Sequence, residues 1–76
     1  MSYEIATLMN NNKDKIVLIK LRNTQSIQGI LKEFDIHMNL TLKDAEDISN
    51  EKPEKLGTIL IRGDNILLIS MSKEEY

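Results

Sequence analysis

The chain has no cysteine, no tryptophan, a single proline and three glycines among its 76 residues. The absence of cysteine excludes a disulfide framework and a thiolate metal site, and it fits a reducing compartment. No apolar run exceeds four residues, so we expect neither a signal peptide nor a membrane span, and a cytoplasmic location. The net charge of −2 argues against coating nucleic acid by bulk electrostatics, but it is compatible with a focused binding pocket.

The hydrophobic pattern predicts one small β-rich domain over residues 1–76. Ser2 is placed to cap a helix over about residues 3–11, which Asn10-Asn11-Asn12 ends. We expect five strands, at about residues 16–22, 25–34, 38–46, 56–62 and 65–71. Gly29, in the middle of the second strand, indicates a sharp bend or a close approach, as in a small barrel.

The last two strands are unusual because they are almost apolar on both faces. An antiparallel strand in a small domain normally exposes one face to water, and an outer strand also has unpaired backbone groups. Edge-to-edge pairing with another copy would cover the second apolar face and pair the free backbone groups. If this head-to-tail contact is repeated from copy to copy, it can close into a ring. The alternative is that the N-terminal helix covers part of this surface.

Residues 35–39 form the first candidate site. In extended backbone Asp35, His37 and Asn39 share one face, while Ile36 and Met38 turn to the core. An aromatic ring, an amide and a carboxylate suit recognition of a flat polar ligand. The alternative is a polar turn whose side chains bond their own backbone.

A second candidate site is the turn Arg62-Gly63-Asp64-Asn65 between the last two strands. Gly, Asp and Asn are ordinary turn residues there. Arg62 is expected at the last position of the strand, where its flat guanidinium can stack on a base.

The two sites together resemble the Sm and Sm-like (LSm) RNA-binding proteins, especially the single-domain archaeal type. The likeness rests on Phe34-Asp35-Ile36-His37-Met38-Asn39-Leu40 and Ile61-Arg62-Gly63-Asp64, and it spans residues 3–71. It implies a mainly β fold, with a short N-terminal helix on a strongly bent five-stranded antiparallel small barrel of the SH3-like class. It also implies a homo-oligomeric ring, usually of seven subunits with six possible, joined through strands 56–62 and 65–71.

The resemblance further implies binding of U-rich single-stranded RNA, one base per subunit on the inner rim of the pore, in RNA processing or as a ribonucleoprotein scaffold. A uracil would lie between His37 and Arg62, with Asn39 bonding its Watson–Crick edge. Asp35 would orient Asn39, and Gly63-Asp64 would shape the pocket wall. The resemblance implies no catalytic residue, no cofactor and no metal.

Other functions remain open at this point. The ring could act mainly as a protein scaffold or as an Hfq-like RNA chaperone, although the Tyr-Lys-His-Ala character of the Hfq second block is missing. A metal-dependent hydrolase could use Asp35, His37 and Asp64, but a hard-metal site would need more carboxylates. The end of the chain, Lys73 to Tyr76, lacks the long basic tail of some relatives, so tail contacts with RNA are not expected.

Overall fold

The computed structural model describes residues 2–71, so the expectation for the tail at Lys73 to Tyr76 lies outside the described residues. Helix α1 spans Tyr3–Asn11 and precedes five strands. The strands are β1 (Ile16–Leu21), β2 (Ser26–Phe34), β3 (Leu40–Asp47), β4 (Glu54–Ile61) and β5 (Ile66–Ser70). A short 3-10 turn, Gly63–Asn65, joins β4 to β5.

Helix α1 begins where the sequence provides a cap, since the Ser2 hydroxyl accepts a hydrogen bond from the Ile5 N–H at 3.2 Å. At its other end the Asn12 side chain donates to the Leu8 carbonyl at 2.8 Å. The helix docks on the sheet through Met9, which is 1% exposed. Ile5 and Leu8 remain 46% and 50% exposed, so the apolar face of α1 is only partly used within one chain.

All five strands form one antiparallel sheet in the order β4-β3-β2-β1-β5. Register shifts between β2 and β3 and between β3 and β4 bend the sheet strongly. Gly29 lies at this bend, where an added Cβ would be 3.2 Å from both the Ala45 Cα and the Leu42 Cβ. A glycine there permits β3 to approach β2, and the predicted bent antiparallel fold is confirmed.

The core lies on one face of the sheet. On β1 the residues Val17, Ile19 and Leu21 are buried and alternate with exposed ones, which is the pattern of a strand with one buried face. Strands β2 and β3 and the end of β4 complete the core, whose members are Met9, Val17, Ile19, Leu21, Ile27, Leu31, Leu40, Leu42, Ala45 and Ile61.

The structure corrects the expected start of the third strand, which is Leu40 rather than residue 38. Met38 has a positive φ of 61°, and its N–H donates to the Asp35 carbonyl at 3.0 Å. Residues 35–39 are therefore a turn and not extended chain. The prediction that Ile36 turns to the core is wrong, because Ile36 is 69% exposed, whereas Met38 does pack against the core.

Smaller differences occur at other strand ends. Arg22 and Arg62 each lie one residue beyond a strand rather than at its last position. β4 begins at Glu54, two residues before the expected start at 56. Within residues 2–71, no helix has the length and the apolar character needed to cross a membrane.

The two outer strands expose large apolar side chains. Leu60 on β4 is 69% exposed, and Leu67 and Leu68 on β5 are 61% and 55% exposed. Helix α1 leaves these three side chains uncovered. The alternative that the helix covers part of this surface therefore does not extend to these three side chains.

Candidate nucleic-acid interface

Two turns that are distant in sequence meet at one pocket. The turn before β3 contributes His37 and Asn39, and the turn after β4 contributes Arg62, Gly63 and Asp64. These five residues line a surface pocket of about 520 Å³. The turns meet because Leu40, at the start of β3, pairs with Ile61, at the end of β4.

Asp35 organises the first turn. Its Oδ1 accepts hydrogen bonds from the backbone N–H groups of His37 and Asn39, each at 2.9 Å, and its Oδ2 accepts one from the Asn39 Nδ2 at 2.9 Å. These bonds favour the ionised carboxylate and hold the pKa of Asp35 below the ordinary value of 3.8. The bond from the Asn39 side chain has the largest effect, and the bond from its backbone N–H is next. Asp35 supports the pocket from behind Asn39 and is not among its lining residues.

Asn39 joins the two turns. Its Oδ1 accepts a hydrogen bond from the Gly63 N–H at 2.8 Å, while its Nδ2 is bound to Asp35. An ionised carboxylate can only accept and a backbone N–H can only donate, so a flipped Asn39 amide would lose both bonds. The amide is thus held in one orientation, and it keeps one N–H and one oxygen lone pair for a ligand.

Gly63 allows the two turns to touch. A Cβ at this position would overlap the His37 carbonyl oxygen and lie 2.8 Å from the Met38 carbonyl carbon. Neither neighbour is a flexible side-chain end, so any larger residue would push the turns apart. The 2.8 Å bond from Gly63 to Asn39 depends on this close approach.

Arg62 and Asp64 form the more exposed wall of the pocket. The Arg62 Nη2 lies 3.2 Å from the Asp64 Oδ2, and the two side chains are 78% and 71% exposed. His37 is also exposed. The pocket therefore offers two flat groups to solvent, an imidazole and a guanidinium, together with a fixed amide.

Arg22 is a residue of this region that the sequence did not single out. Its N–H donates to the Asn65 carbonyl at 2.9 Å, and its side-chain Nε donates to the Asp64 carbonyl at 3.0 Å. Arg22 reaches this turn because the end of β1 pairs with the start of β5, where Leu21 lies opposite Ile66. In the sequence, the available signal was an arginine directly after an apolar strand. Its bond to the turn could not be predicted without knowing that β1 pairs with β5.

A second, larger cavity of about 680 Å³ lies on the other side of Arg62 and Asp64. Its lining is mostly apolar and comes from the outer strand β4 and from the facing parts of β1 and β2, including Leu21, Ile27 and Leu60. Its polar lining residues are Gln25, Arg62, Asp64 and Asn65.

Potential metal ligands are not grouped in this part of the chain. Within residues 2–71, no three His, Asp or Glu side chains come together in a way that could hold a metal ion. Asp35, His37 and Asp64, which a hydrolase would have to bring together, form no such group.

Known proteins resemble this chain over nearly its whole length. The model of the LSM domain family matches residues 7–71. A Methanosarcina barkeri protein that carries an snRNP Sm-like name is 41% identical over 64 residues, which is 83% of this chain and 89% of the relative.

Solved structures agree with these matches. The P. aerophilum SmAP1 heptamer superposes with a TM-score of 0.89 at 39% identity, covering 97% of this chain and 100% of that one. The Pyrococcus abyssii Sm protein in complex with a uridine heptamer gives a TM-score of 0.82 at 38% identity, covering 88% of this chain and 96% of that one. By sequence and by fold, this chain belongs to the LSM-domain family.

Proposed function

We propose that this protein binds U-rich single-stranded RNA, one base per subunit, as part of a homo-oligomeric ring. The observation that carries the proposal is the fixed Asn39 amide in a pocket that His37 and Arg62 also line. Asp35, Gly63 and Asp64 hold and shape this pocket. The role is binding rather than catalysis, in a cytoplasmic protein that acts in RNA processing or as a ribonucleoprotein scaffold.

The chemistry of the pocket fits uracil. A base stacked between the His37 imidazole and the Arg62 guanidinium would present its edge to Asn39. The uracil N3–H would donate to the Asn39 Oδ1, and a uracil carbonyl would accept from the Asn39 Nδ2. Cytosine has no N3–H, so at the same position its N3 lone pair would face the Asn39 oxygen. An unsatisfied polar group of this kind disfavours cytosine.

A related protein supports the choice of ligand. The Pyrococcus abyssii Sm protein, which is 38% identical to this chain, was solved in complex with a uridine heptamer. The proposed base-binding residues His37, Asn39, Arg62, Gly63 and Asp64 all lie within the segment that matches the LSM domain family.

The outer strands support a ring. β4 and β5 lie at opposite edges of the sheet and expose Leu60, Leu67 and Leu68. Pairing β4 of one copy with β5 of the next would satisfy both edges and cover these leucines. The apolar cavity beside β4 would then receive side chains of the neighbouring copy. Heptameric relatives favour seven subunits over six.

A ring would also compensate for weak single sites. Each pocket offers one stacking position, but repetition around an axis presents the following pockets to the same strand at high effective concentration. An acidic protein with a charge of −2 per chain can hold RNA in this way, because binding depends on repeated pockets and not on bulk charge.

Fluorescence anisotropy with oligouridine, oligocytidine and oligoadenosine of equal length tests the proposal. We expect clear preference for oligouridine, and equal affinity for the three would contradict the proposal. Arg62→Ala should weaken oligouridine binding by about 1–3 kcal/mol per engaged base, the range for lost stacking. Lys43→Gln, which removes an exposed cation on β3, is the matched control and should leave the preference unchanged.

Two alternatives predict different results. A ring that serves mainly as a protein scaffold would keep its partner binding when Arg62 or Asn39 is changed. An Hfq-like RNA chaperone with six subunits would have the corresponding native mass. Native mass spectrometry of the wild-type particle separates six from seven subunits directly.

A further inference from the structure

The charge balance of the uracil pocket leaves the RNA backbone without a partner. Arg62 is paired with Asp64 at 3.2 Å, and Asp35, behind the pocket, is a further carboxylate. These three residues together carry more negative than positive charge. Every nucleotide brings a phosphodiester with a negative charge, which a cation beside the pocket would neutralise.

Arg22 is the cation in contact with the pocket wall. Its Nε donates to the carbonyl of Asp64 at 3.0 Å, and Asp64 is one of the residues that line the pocket. The Arg22 guanidinium thus contacts the backbone of a pocket-lining residue. The ion pairs within residues 2–71 join Lys32 to Asp14 and Arg62 to Asp64, so neither of them neutralises Arg22.

The bond to Asp64 also fixes the guanidinium in place. It uses the Nε and a neutral acceptor, so the charge of Arg22 is retained and the Nη groups can serve another acceptor. A guanidinium held in this way matches the oxygens of a phosphate with little further loss of side-chain freedom. The Arg22 backbone N–H, bound to the Asn65 carbonyl at 2.9 Å, anchors the same residue a second time.

We propose that Arg22 binds the phosphodiester next to the stacked base, as the phosphate contact that accompanies each uracil pocket. This inference rests on the proposed RNA-binding function. The residues then have different roles. Asn39 hydrogen-bonds the edge of the base, His37 and Arg62 stack on its faces, and Arg22 binds the RNA backbone. A phosphate contact contributes affinity but carries no information about the base.

The test is the salt dependence of oligouridine binding by wild-type protein and by Arg22→Gln, compared at equal native mass. Gln can still donate to the Asp64 carbonyl but has no charge. We expect Arg22→Gln to bind several-fold more weakly. The slope of log K against log salt is negative, and we expect its magnitude to decrease by about 0.7 for each phosphate that the variant no longer neutralises. The ratio of oligouridine to oligocytidine affinity should stay at the wild-type value.

Two further variants complete the experiment. Arg22→Lys should keep most of the wild-type slope, because it keeps the charge, and a fall equal to that of Arg22→Gln would contradict the proposal. Lys43→Gln removes an exposed charge elsewhere and should behave as wild type. If Arg22→Gln does not assemble, Arg22→Ala and Arg22→Lys provide the same charge comparison.

The remaining outcomes are also decisive. An unchanged slope in Arg22→Gln overturns the proposal. An unchanged slope with a lost preference for uridine overturns it too, and makes Arg22 a positioning residue for the turn that carries Arg62. Failure of the proposed uracil site would appear in the wild type, as equal binding of oligouridine and oligocytidine, whatever the salt slopes are.

Discussion

The pocket and the outer strands of the sheet differ in how many of their contacts a single chain provides. At the pocket, Asp35, Asn39 and Gly63 bond to one another across two turns, and the amide of Asn39 has a single orientation. At the edges, the exposed Leu60 and Leu68 have no cover from α1. One chain thus forms the proposed base pocket by itself but leaves the leucines at its edges exposed. Base recognition and assembly should be separable by mutation.

The largest expected effect on the pocket comes from Gly63→Ala. The new Cβ would overlap the His37 carbonyl, and relieving this overlap would separate the turns and break the Asn39 bond. We expect a loss of about 1–3 kcal/mol of folding free energy, as for overpacked sites, and loss of the preference for oligouridine. Chemical denaturation and fluorescence anisotropy measure the two effects.

The control for this variant is Asn65→Ala in the same turn. The hydrogen bonds of Asn65 use its backbone, so this change preserves the turn. It should retain the preference for uridine. If Gly63→Ala also retained it, close contact of the turns would not be needed for recognition.

At the outer strands, Leu68→Lys should break assembly and leave the fold of each chain intact. Burying one leucine in the contact between copies stabilises assembly by about 1.5–3 kcal/mol. A lysine at the same place would lose this energy, and burying its ammonium would oppose assembly. Native mass spectrometry should show a shift from the ring to smaller species, and oligouridine affinity should fall because the pockets are no longer linked.

Ile36→Lys is the matched control for assembly. Ile36 is 69% exposed like the edge leucines, but it lies on the pocket turn. This variant should keep the wild-type mass. A ring that survives Leu68→Lys with unchanged mass would rule out the proposed role of β5.

A smaller effect is expected from Asp35→Asn. The neutral side chain accepts more weakly from the two backbone N–H groups and no longer fixes the amide of Asn39. The ratio of oligouridine to oligocytidine affinity should fall several-fold, measured by anisotropy. Asp44→Asn makes the same charge change at an exposed residue outside the pocket, and it should leave the ratio unchanged.

The smallest effect concerns pH. The hydrogen bonds from Asn39 lower the pKa of Asp35 from 3.8, so its contribution to stability is complete above that value. The contribution is lost as the pH falls below 3.8 and through the lowered pKa of the folded state. The difference in unfolding free energy between wild type and Asp35→Asn should therefore be constant near neutral pH and narrow only in acid. A difference that changed between pH 5 and 8 (a range about one unit or more above that value) would point to another group.

Much of the fold can be read from the sequence because its determinants are local. Ser2 predicts the start of α1, and the alternation of Val17, Ile19 and Leu21 predicts the buried face of β1. Gly29 predicts a close approach within a bent sheet, and the contact with Ala45 provides it. The first two depend on neighbours in sequence and on a period of two along a strand, and the third depends on a glycine inside a strand pattern.

What the sequence could not predict depends on backbone geometry or on contacts between distant strands. Simple alternation places Ile36 in the core. The chain instead turns at residues 35–39, where Met38 has a positive φ, and Ile36 is exposed. The bond from Arg22 to Asp64 joins residues 42 apart and requires β1 to lie beside β5. The fixed orientation of Asn39 likewise follows only once Gly63 is known to reach it.

The most direct test of the base pocket is a crystal structure of the assembled protein with oligouridine. We expect a uracil between the His37 imidazole and the Arg62 guanidinium, with its N3–H donating to the Asn39 Oδ1 and the Asn39 Nδ2 still bound to Asp35. A base bound in the apolar cavity beside β4, or an Asn39 amide that makes no contact with the base, would contradict this expectation.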